Sequence, residues 1–243
     1  MMTANELQKT SPKKLKLVVL SGAGVSAESG INTFRGVGGL WEGYDVRDVA
    51  TPEAWYKDQE LVLRFYNERR KGIAAVQPND AHKILAELEE ELELQIVTQN
   101  IDNLHEQAGS SNVMHLHGEI TKACSSNAKN HISDIGFDDI NIGDKCPDGH
   151  QLRPFIVWFG EDVPLIPEAA NLVAEADIVL VIGTSLEVYP AAGLVNFAQA
   201  DVPIFVIDPN EVTHKMQVPN EVIHIQTGGS EGMKEFREMV LIV

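Results

Sequence analysis

With 243 residues, 44% of them hydrophobic, and no long charged tract, the chain can bury a full core as one domain, or as one domain with a smaller inserted module. Its net charge of −17, from 36 acidic and 19 basic residues, disfavours nucleic acid as a partner and suits cationic protein surfaces. No apolar run approaches the ~20 residues of a membrane helix. The polar start MMTANELQKTSPKK has no signal-type apolar stretch behind it, so the expectation is a cytoplasmic protein with no membrane partner. In that setting Cys124 and Cys146, the two cysteines, read as reduced thiols.

In chain order, residues 15–20 read as a strand that runs into Gly22-Ala23-Gly24. Helical patterns follow at 58–71 and 79–91, then a strand at 94–98. A helix at 166–175, a strand at 177–182, a helix at 190–200, strands at 204–207 and 222–225, and a helix at 229–239 complete the series. Strands alternating with helices predict a parallel, doubly wound α/β sheet. Two stretches break the rhythm, 36–74 and 120–156, and both read as insertions that build a small second module. The larger part is then 1–35, 75–119 and 157–243.

The strand ends carry the chemistry. Gly22-Ala23-Gly24-Val25-Ser26-Ala27 fits the relaxed dinucleotide pattern, in which glycines let the backbone approach a pyrophosphate ahead of a helix N-terminus. Tight turns also use glycine, and the dehydrogenase signature fails here. That signature needs an acid closing a second strand about 20 residues on, and this chain has the loop Asn32-Thr33-Phe34-Arg35-Gly36. A second polar strand end, Gly183-Thr184-Ser185, could hold phosphate or ribose oxygens, and Asp208 ends a third and could accept from ribose or adenine. Between them, residues 98–119 crowd Gln99, Asn100, Asp102, His105, His115 and His117 after an apolar strand, where an open sheet places its ligand. Packing or surface roles suit His82, His131, His214 and His224; His105 and His115 read as neighbours of the site.

The set GAGVSAESGINTFRG, TQNIDNLHEQAG, HLHGE, VWFGE and GTSLEVYPAA resembles the sirtuins, NAD-dependent protein lysine deacylases, over roughly residues 15–210. The resemblance implies a Rossmann-like parallel sheet with a small second domain formed by the two insertions. It implies NAD as cofactor and acylated lysine side chains of proteins as partners. By position, Gly22, Ala23 and Gly24 match the phosphate-binding turn. Thr33, Phe34 and Arg35 match the loop over the nicotinamide ribose, and Gln99, Asn100 and Asp102 its nicotinamide and ribose contacts. His117 matches the catalytic base. In the family's scheme the acyl oxygen attacks the sugar carbon that nicotinamide leaves. A ribose hydroxyl, deprotonated with help from His117, then attacks the acyl carbon, and water releases O-acyl-ADP-ribose and free lysine. Val157-Trp158-Phe159-Gly160-Glu161 and Leu186-Glu187-Val188 match the two edges between which an acyl-lysine peptide pairs as a strand.

Tyr66 and Arg69 are three apart and share one helix face, and a phenol beside a guanidinium makes a carboxylate receptor. The pair, with Ala50 as the small pocket residue, resembles the desuccinylase-type sirtuins and implies succinyl- or malonyl-lysine as substrate, with acetyl-lysine also admitted. Read without the family, Arg64, Arg69, Arg70 and Lys71 are an ordinary basic face. The family's structural zinc sits on two Cys-x-x-Cys pairs, of which Cys124 and Cys146 are the two cysteines kept; the expectation is no metal, with Ile132, Ile135, Phe137 and Ile140 packing the module instead. A NAD glycohydrolase, an ADP-ribosyltransferase and a non-catalytic NAD sensor remain alternatives for the same cleft.

Overall fold

The computed structural model describes residues 13–33, 40–41 and 43–241. In chain order the elements are β1 (Lys16–Ser21), α1 (Gly24–Ala27), β2 (Leu40–Trp41), β3 (Tyr44–Asp45), α2 (Val46–Val49), α3 (Pro52–Lys57), α4 (Gln59–Ala74) and α5 (Asp80–Leu88). Then come β4 (Glu93–Thr98), α6 (Leu104–Ala108), β5 (Val113–His115), β6 (Gly118–Ser125), β7 (Ser133–Asp134), β8 (Leu152–Ile156) and α7 (Ile166–Ala174). Finally β9 (Ile178–Ile182), a 3₁₀ segment Ala191–Phe197, β10 (Ile204–Ile207), β11 (Val222–Ile225) and α8 (Gly229–Leu241) complete the chain.

Six strands form one parallel sheet in the order β11-β10-β9-β1-β4-β5. β1 shows why its residues run apolar without alternation. Leu17 and Val19 face the layer of α5 and α8, against Leu85, Leu88, Met233 and Phe236. Val18 and Leu20 face the other layer, against Ala169 and Val173 of α7 and the 3₁₀ segment. Both faces are covered, so both must be hydrophobic. Burying each such side chain contributes about 1.5–3 kcal/mol. From β1 the strand order runs outward through β4 on one side and β9 on the other. That leaves a crevice at the carboxyl ends of β1 and β9, where open sheets of this kind bind ligands.

A second, three-stranded antiparallel sheet, β7-β6-β8, packs with α2–α4 around Val62, Phe65, Tyr66, Ile120 and Trp158. Asp58 caps α4, its carboxylate accepting from Leu61 N at 2.9 Å. Apolar positions recurring through Val62, Phe65, Tyr66 and Ile73 then bury one face. Arg70 corrects the reading of α4 as carrying a simple basic face. It is fully buried, with Nε donating to Ile120 O at 2.8 Å and Nη1 to Asn67 Oδ1 at 2.8 Å. Burial pulls its pKa down to about 10. Asn67 also exchanges two hydrogen bonds with the backbone of Ile140, which fastens the segment between β7 and β8 to α4.

Other expectations are also corrected. Ile140 is buried and Ile135 half-buried, but Ile132 and Phe137 are 52% and 38% exposed and do not pack the module. The helix expected at 190–200 is the 3₁₀ segment Ala191–Phe197, and the one expected at 79–91 ends at Leu88 in a turn. Among the described residues no helix is long and apolar enough to cross a membrane.

Candidate active site

The crevice opens into a cavity of about 630 Å³. Its floor is two glycine turns locked together. Gly22 N donates to Ile182 O at 3.0 Å and Gly24 N to Gly183 O at 2.7 Å. A Cβ on Gly24 would lie 2.7 Å from Gly183 Cα, and Gly183 has φ +62, so neither position accepts a side chain without displacement. Gly22, Ala23, Gly24, Gly183, Thr184 and Ser185 all line this end, with Asp208 at the tip of β10. Asp208 Oδ1 accepts from Asn210 N and Nδ2, at 2.8 and 3.1 Å. Gly228 and Gly229, which open α8, also line the cavity. The sequence reading passed over them, although a glycine pair at a helix start was the visible signal.

The middle of the cavity rests on a buried polar network. Ser26 Oγ donates to Asp102 Oδ2 at 3.1 Å and accepts from Asn100 Nδ2 at 3.1 Å, which ties α1 to the loop after β4. Asn100 N donates to Thr98 Oγ1, which also accepts from Ser21 Oγ. Ser26, Thr98 and Ser21 are partners that sequence reasoning missed, since an isolated serine or threonine carries no signal until its neighbours are known. Burial pushes the Asp102 carboxyl above its usual range. Beneath lie two buried imidazoles, His82 and His105, with ring centroids 4.8 Å apart. Burial lowers both, His82 to about 4, so they are neutral packing groups. His115 differs. Its Nδ1 is 2.8 Å from Asn100 O and its Nε2 2.7 Å from Glu106 Oε1, and against the cost of burial the Glu106 carboxylate raises its pKa.

His117 stands at the cavity wall, with Nδ1 3.0 Å from Gln99 O. A carbonyl can only accept, so Nδ1 carries the proton and the lone pair falls on Nε2. Burial lowers the pKa of His117, and the Gln99 carbonyl opposes this in part. The imidazole is therefore neutral near pH 7, as a base must be. Gln99 in turn reaches Thr184 Oγ1 through Nε2 at 3.2 Å and joins the two strand ends.

Ala50, Tyr66, Arg69, Val157, Trp158, Phe159, Gly160, Glu161 and Val188 line the same cavity. Leu186 and Glu187 do not line it. Leu186 is buried in the core against α7, and Glu187 is exposed and paired with Lys215 at 2.7 Å. Thr33 lines the cavity; Phe34 and Arg35 lie outside the described residues. Trp158 Nε1 donates to Tyr66 Oη at 3.0 Å, and burial raises the Tyr66 pKa above its usual value.

The residues do not fit a zinc site. Three positions after Cys124 and Cys146 stand Asn127 and Gly149, which bring no strong ligand. Asp148 is used otherwise, accepting from Ser125 Oγ at 2.6 Å and His150 N at 3.1 Å. Among the described residues no three His, Cys, Asp or Glu side chains form a metal-binding group. Both thiols are buried, and burial lifts Cys124 to about 11.

A glycine-floored crevice at a sheet switch point, with a neutral imidazole in its wall, is the site of a nucleotide-binding enzyme. The chain belongs to the Sir2 family, whose model matches residues 22–190. It is 50% identical over 232 residues, 93% of this chain and 97% of the relative, to a protein of Bacteroides thetaiotaomicron named NAD-dependent protein deacylase. One of the same name from Aggregatibacter actinomycetemcomitans is 57% identical over 196 residues, 81% of this chain and 94% of the relative. The crystal structure of a Sir2 homolog–NAD complex matches with TM-score 0.82 and 38% identity, over 94% of this chain and 90% of that one.

Proposed function

We propose that the protein is an NAD-dependent protein lysine deacylase that favours acidic acyl groups, succinyl and malonyl above acetyl, and yields nicotinamide and O-acyl-ADP-ribose. The Sir2 membership and the deacylase relatives support the reaction. The observation that carries the acyl preference is Tyr66 and Arg69 lining one wall of the cavity that also holds His117. Ala50, Ile156, Val157 and Trp158 line the same cavity, as does Glu161, whose oxygens are taken by Arg153, Lys129 and Trp158 N, so a guanidinium and a phenol are the donors put forward for an acyl tail. A terminal carboxylate could accept from both, bidentately from the guanidinium, whereas a neutral acetyl group offers no such charge-assisted pairing.

The glycine turns, Thr184 and Ser185 would hold the phosphates and ribose of NAD, Asp208 the far ribose, and Asn100 and Asp102 the nicotinamide end. When bound, NAD supplies a nicotinamide–ribose bond whose cleavage leaves a cationic sugar carbon. Thr98, Ser21 and Ser26 hold the loop of Asn100 and Asp102 from behind, which fixes the reacting end. His117 takes the proton of a ribose hydroxyl at Nε2, since Nδ1–H is committed to Gln99. The backbone edges at 157–160 and 186–188 would grip the peptide on either side of the lysine.

The direct test incubates the purified protein and NAD with matched succinyl-, malonyl- and acetyl-lysine peptides, following peptide mass and nicotinamide. Faster removal of the acidic acyl groups is expected. Removal of acetyl alone would return Tyr66 and Arg69 to structural roles, and nicotinamide release without deacylation would favour a NAD glycohydrolase.

A further inference from the structure

The acyl wall has a support that lies outside the pair itself. Glu161 is nearly buried and accepts from Arg153 Nη1 at 2.9 Å, from Lys129 Nζ at 2.7 Å and from the backbone N of Trp158 at 2.7 Å. The Arg153 guanidinium stands over the indole of Trp158, its Cζ 3.3 Å from the ring centroid, and also donates to Ile156 O at 2.9 Å. The indole is thus held at its backbone and on one face. Its N–H ends on the hydroxyl of Tyr66.

This arrangement decides what the phenol can do. A tyrosine hydroxyl donates once, and its main acceptor direction is taken by Trp158 Nε1–H. The cations nearby, Arg69 and Arg153, cannot accept. Glu161, the acid whose charge reaches the phenol, has its oxygens engaged by Arg153, Lys129 and Trp158 N. Among the described residues the Tyr66 proton therefore has no acceptor, on a fully buried ring that lines the cavity. An acceptor must come from the ligand.

We propose that Trp158, through its indole N–H, is a specificity-determining positioning residue of the acyl pocket, and that Glu161 and Arg153 are the brace that fixes it. The proposal rests on the acidic-acyl reading and says how the phenol is committed to it. With the indole donor in place the hydroxyl cannot turn to accept from a neighbour, so its proton points at the acyl carboxylate. Without that donor the hydroxyl rotates freely, and part of its discrimination is lost.

The test replaces Trp158 by phenylalanine and, as an isosteric second variant that keeps both rings, by benzothienylalanine, which lacks the N–H. Each is made in the native chain and with Tyr66→Phe, and kcat and KM are measured with succinyl- and acetyl-lysine peptides of one sequence. Loss of one such hydrogen bond lowers the succinyl-to-acetyl ratio of kcat/KM by about three- to tenfold, mainly through the succinyl KM. In the Tyr66→Phe background the ratio does not fall further. Equal losses on both peptides, or an unchanged ratio in an enzyme that prefers succinyl, overturn the role of Trp158 and leave the acyl reading standing. A native enzyme without that preference overturns the reading, and this proposal with it.

Discussion

Arg69 and Arg70 are neighbours on α4 with opposite fates, and their mutants separate function from stability. Arg69→Met removes a cavity-lining cation and is expected to cut succinyl-lysine kcat/KM by about ten- to a hundredfold, the worth of charge-assisted hydrogen bonds, with a smaller effect on acetyl-lysine; matched peptides check it. Arg70→Met removes the donor to Ile120 O and one of the two donors to Asn67 Oδ1, and takes away a fully buried side chain. It should cost about 3 kcal/mol of stability, read as a lower urea midpoint, with both acyl activities falling together. His117→Ala should reduce turnover by about 10²–10⁴-fold while calorimetry still detects NAD binding. Because burial lowers the His117 pKa, the base stays neutral further into acid than a free histidine. The acid limb of kcat/KM is therefore expected to turn below the ordinary value of about 6.5; a limb centred above it would contradict burial as the dominant influence on His117. The sequence singles out Asn100 and Asp102 in one motif and His117 in another, and the structure brings all three to one cavity. Arg70 was not legible, because nothing in a basic run says which side chain turns inward.

The strands were the easiest elements to read, because β1, β4, β9 and β10 are covered on both faces and therefore run apolar. The small sheet was hidden for the converse reason. β7 is two residues long and exposed, and β6 breaks register between Glu119 and Ala123, so no alternation survives. The 3₁₀ segment Ala191–Phe197 carried a helix-like run of alanines and apolar residues, but Pro190 precedes it and Gly193 lies within it. Its apolar face had the right composition for a helix and the wrong backbone. Asp148 does locally what a metal does in the resembled family, joining the end of β6 to the turn at 146–149 through Ser125. Chelation is accordingly expected to leave the melting temperature unchanged, with zinc substoichiometric by elemental analysis, whereas Ser125→Ala should lower it by a few degrees. His82 gives the layer beneath the site a pH response. Its folded pKa of about 4 lies below the unfolded value of about 6.5. Its contribution is therefore complete above pH 6.5 and lost as pH falls toward 4. Urea midpoints from pH 7 to 4.5 should decline less in His82→Gln than in the native protein.

At the scale of the whole molecule the net charge of −17 acts before any contact forms. Peptides with flanking lysines should lose kcat/KM as salt rises from low to physiological strength, while neutral peptides hold theirs; identical slopes would show that steering plays no part. The chain passes from the large sheet to the small one between β5 and β6. β6 starts at Gly118, directly after His117, and Gly118 has φ +81 with Phe155 O only 2.1 Å from where a Cβ would sit. The imidazole is tied to Gln99 on the large-sheet side, and the His117 carbonyl receives Val157 N at 2.9 Å from the proposed peptide rail. Base and rail are thus a single splice between two plates. A lysine peptide paired on that rail, as proposed above, would lie one backbone hydrogen bond from the residue proposed to take the proton.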